Sequence, residues 1–162
     1  TRSGGDRTRP NLASVGCCGR VTSFSETSDG RYLITLTGVC RFLVREELSV
    51  ATPYRQVRAE FESYAEDLSV EAADIPAFDR RRFAGALKRY LNRRELDIDW
   101  ETAETAPLES LVTSLAMGLP FEPAEKQALL EAPTVADRCE ALTALLEIDS
   151  LEADDDGPQS IQ

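Results

Sequence analysis

The sequence contains no histidine. That absence excludes a Ser-His-Asp triad, a Cys-His nucleophile pair and every metal site built on imidazole. Lysine occurs only at Lys88 and Lys126, and neither lies beside a serine in a recognisable dyad. No G-x-x-x-x-G-K-S/T stretch is present to cradle a phosphate. The four cysteines, Cys17, Cys18, Cys40 and Cys139, include no C-x-x-C pair, so zinc lacks its usual spacing. No apolar run approaches the roughly 20 residues that a membrane span needs. The residues therefore imply no catalytic group, no metal and no cofactor.

What is present is a chain of 162 residues, 42% apolar and 29% charged, with a net charge of -11. That length suits one domain, or one domain with a small appendage. The negative charge opposes nonspecific attraction to nucleic acid or anionic membrane as a main activity. Its placement is uneven. Residues 1–79 sum to -3, residues 80–94 carry seven basic groups and no acid, and residues 95–162 sum to -15. The favoured reading of the basic stretch is a solvated helix face that complements acidic neighbours within the fold. The sharper alternative is a surface that docks an acidic partner, with Arg81, Arg82 and Arg89 as candidate contacts.

Residues 1–10 are polar and aperiodic, and read as a flexible or cut end without the pattern of a secretion signal. Residues 149–162 read as an acidic disordered tail. Between them, the period of the apolar positions changes once.

The first part alternates with period two. Asp29-Gly30 is a hairpin turn signal. It separates Cys18–Phe24 from Arg31–Thr37, where Tyr32, Ile34 and Leu36 alternate with other positions. Gly38 is expected to break that run before a further strand, Arg41–Glu47, with Phe42 and Val44 on one face and Arg41 and Arg45 on the other. Arg55–Phe61 sets Val57, Ala59 and Phe61 against Gln56, Arg58 and Glu60. This predicts an antiparallel β lobe over 11–74, a partial barrel-like sheet with one face buried.

After a linker around Asp74-Ile75-Pro76, the period becomes helical. Phe83, Leu87, Tyr90 and Leu91 form one stripe, and Leu108, Leu111, Val112 and Leu115 a second, with Pro107 in its first turn and Gly118 at its end. A third helix is expected from Pro123 to before Pro133. Thr134 and Asp137 form the capping box of a fourth, whose apolar face is Val135, Cys139, Leu142, Leu145 and Leu146. Strands first and helices after give an α+β fold, an N-terminal β lobe followed by a helical subdomain over 75–148.

The remaining chemistry has plain structural readings. Cys17 and Cys18 must point to opposite faces of a strand, so one is expected in the core and the other outside. Buried, unpaired thiols fit a reducing compartment. A disulfide from Cys40 to one of the adjacent pair is an alternative where their strands neighbour each other. Asp97 and Asp99 are read as residues of a helix start. Arg20, Phe24, Arg31, Tyr32, Arg41 and Phe42 have the composition of a single-strand-binding sheet. Tyr32 and Phe42 are more simply core, so nucleic acid is not expected as a partner.

Residues 15–44, VGCCGRVTSFSETSDGRYLITLTGVCRFLV, and 111–146, LVTSLAMGLPFEPAEKQALLEAPTVADRCEALTALL, resemble the β and helical portions of the Lon protease N-terminal domain in its stand-alone bacterial form. The turn Asp29-Gly30, the block Thr37-Gly38-Val39-Cys40-Arg41-Phe42 and the block from Pro120-Phe121 to Glu131 carry the likeness most specifically. The resemblance implies a cytoplasmic, non-catalytic module that binds polypeptide substrates or degrons. In full Lon proteases, separate ATPase and serine-lysine peptidase modules do the chemistry. Family members usually open with several dozen more residues, including a strand of the type L-P-L-F-P-L. The resemblance therefore leads us to expect that a neighbouring chain, a domain swap or a missing N-terminal segment completes the β lobe.

Overall fold

The computed structural model describes residues 2–6, 9–69 and 78–155. The chain divides into two compact units, residues 1–72 and 73–162. The expected linker at Asp74-Ile75-Pro76 lies outside the described residues.

The first unit opens with two short antiparallel strands, β1 (Arg2–Asp6) and β2 (Arg9–Asn11). Residues expected as a flexible end thus carry a strand pair. A three-stranded antiparallel sheet follows, in the order β3 (Val15–Glu26), β4 (Tyr32–Leu48) and β5 (Gln56–Glu60). Gly30, at φ 79°, supplies the left-handed turn residue between β3 and β4 that the sequence announces. Asp29 fixes the turn by accepting from Arg31 Nε at 2.8 Å and from the Thr27 hydroxyl.

Gly38 does not break the sheet. β4 runs through it as one 17-residue strand, because the pairing skips Val39 between Cys18↔Cys40 and Gly19↔Gly38. A bulge absorbs the irregularity that the sequence suggests is a strand end. A second bulge omits Thr22, whose hydroxyl lies 3.2 Å from that of Thr37. Gly16 has a separate role. A Cβ there would sit 2.6 Å from Phe42 Cζ, so its absence makes room for the Phe42 ring, which also lies 5.7 Å from that of Phe61.

A 3-10 segment, Glu62–Leu68, packs on β4 and delivers Asp67 to Arg41. The period-two pattern puts Arg41 on the open face, yet it is buried. Its Nε and Nη2 donate to Asp67 at 2.9 and 2.7 Å, and its guanidinium lies 4.3 Å from the Tyr64 ring centre. The partner stands 26 residues away, beyond the reach of a period-two pattern.

The second unit holds α1 (Arg80–Arg93), α2 (Trp100–Thr105), α3 (Leu108–Gly118), α4 (Pro123–Glu131) and α5 (Val135–Asp155). The stripe Phe83, Leu87, Tyr90 and Leu91 is buried, together with Val112, Leu115, Phe121, Leu129, Cys139, Leu142 and Leu146. Leu108, Leu111, Val135 and Leu145 pack half-buried around that core. The caps are local and explicit. Asp79 accepts from the Arg81 and Arg82 amides, Asp99 from Thr102, and Thr134 and Asp137 exchange hydrogen bonds in the expected box. Pro107 precedes α3 as its cap residue. At the other end, α5 continues to Asp155, past the position 149 where a disordered tail was expected. Asp149 is held by Arg93 and Arg94, which extends the packed part of the helix.

Candidate functional site

Two surfaces carry the observations that bear on function, one in each unit. The first is the distal part of the β3–β4 ribbon. Register places Val21 beside Leu36, Phe24 beside Ile34 and Glu26 beside Tyr32. Side chains alternate across a strand and paired residues share a face. Val21, Phe24, Tyr32, Ile34 and Leu36 therefore form one apolar face, with Phe24 and Tyr32 stacked at 5.1 Å. The opposite face carries Ser23, Ser25, Thr35 and Thr37, with Leu33 among them.

The pattern is that of a sheet with one face meant for burial, yet the five apolar residues are 53–63% exposed. Tyr32 is thus not core, contrary to the sequence expectation, and Phe42 is only half-buried. The alternation identifies an apolar face; it cannot say whether anything in the same chain covers it. β5 pairs β4 only from Leu43 to Leu48, so among the described residues the ribbon from Tyr32 to Cys40 has no strand on that side.

Cys17, Cys18 and Cys40 sit at the base of this ribbon. Cys18 and Cys40 are directly opposed in register, and all four thiols are free. Cys17 and Cys18 are both exposed, whereas their partners on β4, Arg41 and Cys40, are buried. This corrects the expectation that one of them is buried. Burial pushes the Cys40 thiol pKa up, which disfavours the reactive thiolate. Among the described residues no group of three or more His, Cys, Asp or Glu side chains could hold a metal.

The second surface is α1. Arg82 pairs with Glu147 at 2.7 Å and Glu140 at 3.2 Å, and Arg93 and Arg94 both reach Asp149. These three cations complement acidic groups of α5, and Glu147 raises the Arg82 pKa while Arg82 lowers that of Glu147. Of the candidates Arg81, Arg82 and Arg89, the structure commits Arg82 to α5. Arg81 and Arg89 are exposed and have no ion pair among the described residues.

Two recesses border the helices. An open cleft of about 460 Å³ is lined by Leu91, Ile98, Ala103, Leu111, Leu115 and Leu119, with Asp97 and Asp99 at its edge. Asp99 is engaged as the α2 cap, which matches its reading as a residue of a helix start. A smaller recess of about 150 Å³ lies between α1, α2 and α3. Sequence reasoning missed it, because its lining comes from three helices and Trp100 belongs to the short α2.

Comparison with known proteins agrees with both units. The model of the ATP-dependent protease La (LON) substrate-binding domain matches residues 2–147. The crystal structure of a Lon N-terminal domain protein from Xanthomonas campestris is 20% identical, with a TM-score of 0.51 over 82% of this chain and 68% of that one. The N-terminal domain of the Mycobacterium avium complex Lon protease is 16% identical, with a TM-score of 0.53 over 87% of this chain and 74% of that one. No curated protein matches. These structural likenesses concern the fold, whereas the family match spans nearly the whole chain. The chain belongs to the family of ATP-dependent protease La (LON) substrate-binding domains.

Proposed function

We propose that this chain is a non-catalytic module that captures polypeptide, including degron-bearing segments, on the apolar face of the β3–β4 ribbon. The observation that carries the reading is the uncovered patch of Val21, Phe24, Tyr32, Ile34 and Leu36. Contiguous apolar surface rimmed by polar residues marks interaction sites in soluble proteins. An extended segment laid along the ribbon buries its alternate side chains on that patch and adds main-chain hydrogen bonds at the open edge. The four free thiols fit a reducing cytoplasm as its setting. The same face suits a neighbouring chain or a swapped strand that completes the β lobe, and sedimentation velocity separates these arrangements from a monomer.

The test is titration with a reduced, carboxymethylated model protein. Saturable binding without cleavage is expected. The variant Ile34→Asp/Leu36→Asp, made at exposed positions, should weaken it at least tenfold with the circular dichroism spectrum unchanged. Undiminished affinity in that folded variant refutes the assignment.

A second reading, docking of one folded partner through residues 80–94, is favoured by the uncommitted guanidinium groups of Arg81 and Arg89. Reversing Arg81 and Arg89 to glutamate, with Arg82 left in its pairs with Glu140 and Glu147, should abolish that contact and leave binding of the denatured protein intact.

A further inference from the structure

The recess between α1, α2 and α3 combines features that the ribbon lacks. Phe83, Leu87, Leu108 and Leu111 form its apolar floor, and Trp100 forms one wall. Its volume of about 150 Å³ is that of an apolar cavity that accepts one benzene-sized group. Arg80 and Lys88 line it as well, and the only acid in the lining is Glu104. Neither cation has an ion pair among the described residues, and Lys88 Nζ lies 5.0 Å from the Trp100 ring centre. With two cations and one acid in the lining, the net charge around the apolar socket is positive.

The spacing specifies the ligand further. Arg80 and Lys88 are eight positions apart on one helix, about 12 Å along its axis. An extended peptide spans that distance in about four residues. Positions i, i+2 and i+4 of such a peptide share a face. A carboxylate at i, a large apolar residue at i+2 and a carboxylate at i+4 thus meet Arg80, the socket and Lys88 together.

We propose that this recess is a second binding site, which takes an acidic extended peptide of the pattern Asp/Glu-x-Leu-x-Asp/Glu. The carboxylates pair with the two cations, and the leucine side chain fills the socket against Trp100. An aromatic anchor beside an arginine is the composition of an interface hot spot. All residues of this site lie in the helical unit.

Trp100 is the only tryptophan of the chain, so its fluorescence reports the socket directly. The full chain is titrated with acetyl-Asp-Ser-Leu-Ser-Asp-amide at low salt. A saturable change in Trp100 emission is expected, weakened at least tenfold by 0.5 M salt. Peptides with Leu→Ser or with both Asp→Lys should give no change at the same concentrations. Arg80→Glu/Lys88→Glu should abolish the response, and Arg80→Lys/Lys88→Arg should retain it. If the reversal variant does not fold, the salt series and the lysine peptide on the wild-type chain decide. Absence of a saturable response, or equal binding of the lysine peptide, overturns the proposal. The Ile34→Asp/Leu36→Asp variant should still bind the acidic peptide, which keeps failure of this site distinct from failure of the ribbon.

Discussion

Replacing Asp67 by asparagine tests what holds the base of the ribbon together. The Arg41 side chain is 7% exposed and that of Asp67 20% exposed. Asp67 accepts from the Arg41 backbone amide, Nε and Nη2 at 2.9, 2.9 and 2.7 Å. The amide side chain of Asp67→Asn would keep the shape and one oxygen but leave the guanidinium shielded from water without its counter-charge. Loss of one partner of a buried pair costs about 3–5 kcal/mol. The partial exposure of Asp67 places this case near the lower end, about 3 kcal/mol. At about 4–8 °C per kcal/mol for a unit of this size, the midpoint should fall by about 12 °C or more. Arg41→Met/Asp67→Leu, which removes both charges, should recover part of that loss, since apolar replacements of buried pairs are close to neutral while the bond from the Arg41 amide is given up. Thermal and urea unfolding followed by far-ultraviolet circular dichroism and tyrosine emission measure both effects, while Trp100 fluorescence reports α2 separately. A loss under about 1 kcal/mol for Asp67→Asn refutes the reasoning. So does a double variant no more stable than the single one.

Three further outcomes are expected. Asp29, held by Arg31 and Thr27, has its pKa lowered from 3.8 to about 2. Its contribution to the hairpin is therefore complete above the unfolded value and is lost as pH falls through the range from 3.8 to about 2. A carboxyl NMR titration should show the low midpoint, Arg31→Ala should move it upward, and a wild-type midpoint near 3.8 would contradict the turn geometry. Cys17 and Cys18 should react with a thiol reagent in the folded protein, with Cys40 and Cys139 protected until unfolding. Four equally fast thiols would count against the burial described. Thr134→Ala, which removes the first half of the α5 capping box, should cost about 1 kcal/mol in thermal unfolding; no change would show that the box is not needed.

The helical unit was legible because its signals are local. Phe83, Leu87, Tyr90 and Leu91 repeat at helical spacing within nine residues, and the Thr134–Asp137 box is complete within four. The β unit was legible in its strands and turn but not in its burial. The alternation at Tyr32, Ile34 and Leu36 defines a face, and whether that face is covered depends on chain elsewhere. Arg41 looked solvent-facing because the residue that neutralises it comes from a 3-10 segment with no periodic signature. The basic stretch at 80–94 was plain as a sum of charge. Which cations α5 takes and which remain beside the recess is set by helix packing, so Arg80 and Lys88 could not be separated from Arg81, Arg82 and Arg89 beforehand.

Asp67 also occupies a backbone donor. By accepting from the Arg41 amide it fills a place on β4, just beyond the end of β5, that another strand would otherwise take. A side chain thus ends the sheet where a main chain could have continued it. Unpaired strand edges are templates for uncontrolled growth into aggregates, and proteins guard them with charges. Asp67 is such a guard, placed where the ordered base of the sheet meets the open ribbon. Its loss should therefore lower solubility as well as stability, with self-association starting from β4.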